Sequence, residues 1–187
     1  MSSPHGFLIE PTNGKRYANT KNIGGYDMIV SVSEEDHRYS NRFGIVKELP
    51  SHYQGEIKVG DTLCVHHNVF KLYYDMQGKR KSGKSYLKEN TFLVEEGQYF
   101  MFNNGEKWQA IDKYCFVKPV KALESFIKKP NNEEPLMGEM KYPNSWLVNK
   151  GVNMGDLVLF TPDSEYEFMV DDEKLFRVHD HQIVAKL

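Results

Sequence analysis

The sequence predicts an all-β protein built from two small β domains in tandem. Three observations predict it. Blocks recur in the same order: Gly44-Ile45-Val46-Lys47-Glu48-Leu49-Pro50 returns as Gly138-Glu139-Met140-Lys141-Tyr142-Pro143, Ile57-Lys58-Val59-Gly60-Asp61 as Val152-Asn153-Met154-Gly155-Asp156, and Phe92-Leu93-Val94-Glu95-Glu96 as Phe168-Met169-Val170-Asp171-Asp172. Their spacing is nearly kept, with Gly44 to Gly60 spanning 16 residues and Gly138 to Gly155 spanning 17, as an internal duplication requires. Short runs rich in β-branched and aromatic residues alternate with Gly, Pro and Asp turns at sandwich-or-barrel spacing, and no helical period extends over more than about ten residues.

In chain order, residues 1–25 read as an N-terminal arm with Phe7-Leu8-Ile9 as a short strand or hydrophobic hook and Asn22-Ile23-Gly24-Gly25 as a turn. Residues 26–112 form the first domain. Its strands are Met28–Val32 and Phe43–Leu49, the latter stopped by Pro50, then Thr62–Val65 after the Gly60-Asp61 turn. A hairpin through Glu95-Glu96-Gly97-Gln98 follows, and Trp108–Ile111 closes the domain. Ser33–Arg42 is polar apart from Tyr39 and reads as an exposed loop. Residues 113–187 form the second domain: Tyr114–Val117 ending against Pro119, a polar loop from Lys121 to Leu136, the strand from Gly138, Leu157–Phe160, a second hairpin, and Ile183–Ala185. Val120–Lys128 is the one stretch that admits a turn or two of helix. The repeat is broken once, by an insertion at about 71–90 whose strand-like flanks and Gly- and Lys-rich tip read as a projecting β-hairpin.

Net charge is -2, so no global field points to nucleic acid or an anionic membrane. The two cysteines, Cys64 and Cys115, sit in apolar runs and read as buried free thiols of a reducing compartment. The first residues are polar, no run approaches the ~18 apolar residues of a membrane span, and a cytoplasmic protein with no membrane partner is expected.

The succession of Gly-x-Val-type strand, turn, Val-Gly-Asp, apolar strand, hairpin and closing strand resembles the GroES co-chaperonin family over about residues 26–187. The second copy matches better, through Tyr114–Pro119, Gly138-Glu139-Met140, Met154–Phe160 and the ending Asp180–Ala185. The resemblance implies two GroES-like β-barrels, a homo-oligomer, and a GroEL-type chaperonin as partner. The chain would cap that ring by binding, with no chemistry and no cofactor of its own. In the family a loop after the first strand docks through an apolar tripeptide. Ser33–Arg42 contains none, whereas Lys121–Met137 offers Ser125-Phe126-Ile127 and Pro135-Leu136-Met137 without the usual leading glycines. Phe126, Ile127, Leu136 and Met137 are therefore the candidate docking residues. Fused double chains with an added hairpin and arm resemble proteins of tailed bacteriophages, which places the protein in the host cytoplasm. The alternative is a virion structural protein contacting other virion proteins through the arm and the hairpin.

The hairpin Lys71–Lys88 carries five lysines and one arginine against Asp75, interleaved with Tyr73, Tyr74 and Tyr86. Lys79, Arg80, Lys81 and Lys84 are its candidate partner-binding residues. An acidic protein surface suits them, a Lys-rich tip also guards strand edges, and nucleic acid is the less favoured partner. His66-His67 point to opposite faces if on a strand, and His179 and His181 lack a third ligand nearby, so no metal is expected. Glu95-Glu96 and Asp171-Asp172 read as structural turn residues. No nucleophile–base pattern or phosphate loop appears, so no enzyme activity is expected.

Overall fold

The structure is a computed structural model that describes residues 3–17, 20–23, 26–29, 40–122 and 133–187. It is predominantly β, and its chain divides into two compact units, Met1–Lys107 and Trp108–Leu187.

The strands of the first unit are β1 (Phe7–Pro11), β2 (Thr20–Ile23), β3 (Tyr26–Ile29), β4 (Phe43–Glu48), β5 (Thr62–Val65), β6 (Leu72–Tyr74), β7 (Arg80–Ser82), β8 (Tyr86–Lys88), β9 (Thr91–Val94) and β10 (Tyr99–Asn103). Six of the seven strands of its main sheet run β10-β5-β4-β1-β9-β8, and β2-β3 and β6-β7 form separate two-stranded ribbons. The second unit holds β11 (Trp108–Ala110), β12 (Tyr114–Lys121), β13 (Glu133–Tyr142), helix α1 (Ser145–Asn149), β14 (Leu157–Phe160), β15 (Tyr166–Val170), β16 (Glu173–His179) and β17 (Ile183–Lys186). Its sheet runs β15-β16-β12-β13-β14-β17. The two orders are the same order. β1, β4, β5, β8, β9 and β10 correspond in turn to β12, β13, β14, β15, β16 and β17.

The correspondence extends to single residues. In the first unit Ile9 faces Val46 and Pro11 faces Gly44; in the second Val117 faces Met140 and Pro119 faces Gly138. The register slips at the same place in both, between Leu8 and Ile9 and between Phe116 and Val117. Both glycines are there because the space is taken. A Cβ on Gly44 would lie 2.5 Å from Ile9 Cδ1, and one on Gly138 would lie 2.9 Å from the Lys118 carbonyl oxygen. The Gly-Asp turn is likewise built twice. Val46 N–H donates to the Asp61 carbonyl (2.8 Å) and accepts at its own carbonyl from Gly60 N–H (2.9 Å). Met140 does the same with Asp156 and Gly155, both at 2.8 Å. The Asp61 carboxylate accepts from Lys58 N–H (2.8 Å) and that of Asp156 from Asn153 N–H (2.6 Å), which closes each turn with a side chain. Gly60 and Gly155 supply φ of 98° and 86°, a conformation that costs L-residues.

Several expectations are corrected. Phe7–Pro11 is not part of an arm but an inner strand of the first sheet, with Phe7, Leu8 and Ile9 buried between β4 and β9. It, rather than Met28–Val32, opens the repeat. Tyr26–Ile29 pairs with Thr20–Ile23, and residues 30–39 lie outside the described ones. At the far end of the expected exposed loop, Ser40 and Asn41 are buried. The Asn41 amide donates to the carbonyls of Thr12 (3.2 Å) and Lys15 (2.9 Å).

The third repeated block is displaced by one strand. Phe92-Leu93-Val94 faces β1 as Phe176-Arg177-Val178 faces β12, so its counterpart is β16 and not Phe168–Val170. Glu95-Glu96 and Asp171-Asp172 therefore occupy different turns. The true match continues to Gln98 and Gln182, whose Oε1 atoms accept from Glu95 N–H (2.9 Å) and His179 N–H (3.0 Å).

The inserted hairpin is β6-β7 alone, because Tyr86–Lys88 belongs to the main sheet as the counterpart of β15. β12 runs through Pro119 to Lys121, absorbing the proline at a second register slip, so Val120 and Lys121 are strand; residues 123–128 lie outside the described ones. The helix is α1 instead. Asn144 caps it by accepting from Leu147 N–H (2.9 Å), while its amide donates to Asp112 O (2.7 Å) and Asp180 Oδ2 (2.8 Å). Leu147 then enters the core of Cys115, Val117, Met140, Val158, Phe160 and Val178. Among the described residues neither sheet closes on itself: β8 and the strand at the opposite end of the first sheet, and β15 and β17 of the second, are not paired with each other.

Gly155→Ala is expected to cost about 1–2 kcal/mol, the usual penalty of a left-handed conformation for an L-residue. Gly155→Asn should cost less, and urea denaturation followed by fluorescence reads the difference.

Candidate functional site

The duplicated residues are core and turn, so the parts peculiar to one unit are where a site is to be sought. The most distinctive is the β6-β7 hairpin. Its tip is organised by Asp75, whose Oδ1 accepts from Gln77 N–H (3.0 Å) and Lys79 N–H (2.9 Å), with Gly78 at φ 74° completing the turn. Asp75 Oδ2 meets Lys81 Nζ at 3.0 Å. The Lys79 N–H, followed by the Lys81 ammonium, holds the Asp75 carboxyl below its usual range. The segment's only carboxylate is thus committed to folding the turn.

The base of the hairpin is tied down. Leu72 is buried and its N–H donates to the Tyr17 hydroxyl (2.7 Å). Arg16 Nη1 donates to Ser82 Oγ (2.8 Å), and the same guanidinium lies 4.7 Å from the Tyr86 ring centroid and 4.8 Å from that of Phe92. Cross-strand register sets Tyr73 opposite Lys81 and Tyr74 opposite Arg80, so each face carries an aromatic ring beside a cation. Tyr73 and Tyr74 are 45% and 47% exposed. At the foot of the hairpin Lys71, Tyr73, Lys84, Asn68, Ser85 and Gln98 line a groove of about 360 Å³, and Gly83 lies in its wall.

Of the residues singled out in the sequence, Lys84 lines this groove while Lys79, Arg80 and Lys81 lie at or next to the tip. Asn68 and Gln98 are reached by no motif from the hairpin. The signal for Gln98 is its recurrence as Gln182, in the pattern Phe-x-Val-x-x-x-Gln that both units share. Phe126 and Ile127 lie outside the described residues. Leu136 packs against the second unit's core at φ 59°, and Met137 is a strand residue facing Leu159.

The histidines behave differently from the strand-based expectation. β5 ends at Val65, so His66 and His67 are not held to opposite faces; their rings lie side by side with centroids 4.1 Å apart and planes tilted by 31°. His179 and His181 stack at 5.3 Å, and Tyr114 lies 5.0 Å from His179. Among the described residues no group of three or more His, Cys, Asp or Glu is placed to hold a metal. Cys64 and Cys115 are buried and not joined in a disulfide, and burial pushes the Cys115 thiol up to about 12, which makes it inert at neutral pH. No helix of the described residues is long and apolar enough to cross a membrane. No model of a known protein family matches the chain, and no curated protein matches it in sequence.

Two outcomes follow from these electrostatics. Asp75→Ala should speed amide exchange at Gln77 and Lys79, while Asp75→Asn keeps the acceptor and most of the protection. Burial, then the charge of Arg177, lowers the His179 pKa from its ordinary 6.5. The unfolded chain therefore takes up this proton first as pH falls. Its contribution to stability is complete above 6.5 and declines as pH drops towards the folded-state value. His179→Gln should flatten that limb of a stability–pH curve measured by chemical denaturation.

Proposed function

We propose that this chain is a GroES-like co-chaperonin, with two small barrels in tandem, that caps a GroEL-type ring by binding and leaves ATP hydrolysis to its partner. The observation that carries the reading is the twofold recurrence of one six-strand unit with the same register. Each copy has its Gly-Asp turn clamped by the strand that begins at Gly44 or Gly138. That turn and its flanking strands are the segments on which the resemblance rests. We read each sheet as a barrel left open between its end strands.

Docking falls to Phe126 and Ile127 in the loop after the first strand of the second unit. Leu136 is less suited, because its side chain already serves its own core. Oligomerisation would use sheet edges such as β17, where Val184 is exposed and Leu187 follows just beyond, and a ring of weak loops would gain affinity through multivalency. The same reading puts the protein in a host cytoplasm.

One observation favours a second reading. The anchored β6-β7 hairpin belongs to the first unit alone, and a lid has no evident need of it. As a virion structural protein the chain would use that hairpin for contacts within the particle, and it would be stoichiometric in purified particles.

Native mass spectrometry with a GroEL-type ring and ATP tests the first reading. A stable complex is expected with the wild-type chain, weakened at least tenfold in Phe126→Ala/Ile127→Ala. No complex with either protein sinks it.

A further inference from the structure

We propose that the β6-β7 hairpin and the groove at its foot bind single-stranded nucleic acid, with one base laid on Tyr73 and the neighbouring phosphates on Lys71 and Lys84. The argument starts from charge. Residues 71–88 hold six cations against one carboxylate in a chain whose net charge is -2, so the positive field is local to the hairpin. The one carboxylate, Asp75, is bound to the turn amides and to Lys81, so it offsets one of the six cations and leaves the segment strongly positive.

Charge alone would suit any anion; the rings narrow the choice. Tyr73 and Tyr74 are about half exposed on opposite faces, each with a cation directly across the ribbon. A stacking platform beside a cation is what holds a strand of nucleic acid without regard to sequence, because every base offers a π-face and every step a phosphate. An acidic polypeptide requires the cations and makes no use of the rings.

The groove has the shape this demands. At about 360 Å³ it lies in the lower part of the ~300–1,000 Å³ range of small-molecule sites. Tyr73 lines it together with two lysines, and Asn68, Ser85 and Gln98 bring uncharged donors and acceptors suited to base edges. Gly83 keeps its wall thin: a Cβ there would stand 3.2 Å from the Asn68 carbonyl oxygen. The site is also pre-organised. Tyr17 and Arg16 pin the two strands of the hairpin at Leu72 and Ser82, so little ordering remains for the ligand to impose.

The test is a fluorescence-anisotropy titration of the full chain against labelled oligothymidylate and oligouridylate of about 12 nucleotides, at two salt concentrations. Saturable binding that weakens with salt is expected for both. Tyr73→Ala, which leaves the charge unchanged, should weaken binding roughly tenfold while Tyr73→Phe keeps it. Lys71→Ala and Lys84→Ala should each make the salt slope shallower by about 0.7. Thermal unfolding of each variant shows that the fold is kept. Absence of saturable binding overturns the proposal. So does a Tyr73→Ala variant that binds like wild type while polyglutamate competes as well as unlabelled oligomer, the pattern of an acidic protein partner.

Discussion

The rest of each unit depends on the clamp between one strand residue and the Gly-Asp turn. Val46 and Met140 each donate to an aspartate carbonyl and accept from a glycine N–H, all within 2.8–2.9 Å. The clamp fixes where the chain re-enters the sheet after leaving β4 or β13, and so fixes the register of β5 and β14 beside them. Both of its special residues are dictated chemically. The glycine carries the positive φ, and the aspartate side chain satisfies the N–H three residues earlier. The residue before the glycine is under no such demand. Val59 and Met154 are apolar yet about 60% exposed, and they differ between the units.

The second strand's glycine serves a related purpose two residues earlier in the same strand. Gly44 and Gly138 face the prolines that close β1 and interrupt β12. A proline in a central strand gives up one ladder hydrogen bond, and the chain beside it must come close or slip. Here it comes close in both units, since the glycine removes the Cβ that would strike the neighbouring strand, and in β12 the register slips as well. This pairing of proline with glycine makes Glu10-Pro11 and Lys118-Pro119 the same structural position, although little else in β1 and β12 is alike in sequence.

That comparison shows what the sequence made legible. The second and third strands of each unit were readable because Gly-x-Val and Gly-Asp are fixed by backbone geometry and sit at nearly constant spacing. The first strand was hidden by its connection. Pro11 and Gly44 are separated by 33 positions where Pro119 and Gly138 are separated by 19, so a search for constant spacing passes over Phe7–Pro11. The third block was misassigned for a different reason. Phe-x-Val occurs at 92–94, 168–170 and 176–178, since neighbouring strands of one sheet ask for the same inward alternation. Acidic pairs after the first two made the wrong match look continuous. Only hydrogen bonds, such as those to Gln98 and Gln182, tell which strand neighbours which. The hairpin was visible as an interruption of the repeat, but its groove was not, because Asn68 and Gln98 come to it from outside the inserted segment.

The position of the hairpin explains why one unit could acquire it without disturbing the other elements. It lies between β5 and β8, a connection that takes residues 66–85 in the first unit and only 161–165 in the second. The two ends of that connection are already held by the sheet, so lengthening it adds little closure entropy: each doubling of a flexible loop costs only about 0.6 kcal/mol. The insertion then needs its own reasons to be ordered, and it has them in the Asp75 turn, the buried Leu72 and the anchors from Tyr17 and Arg16. Those anchors come from the segment between β1 and the second strand, the other connection that is long in the first unit and shorter in the second. The two expansions support each other, and the unit that carries both is the one whose surface departs from the duplicated scaffold.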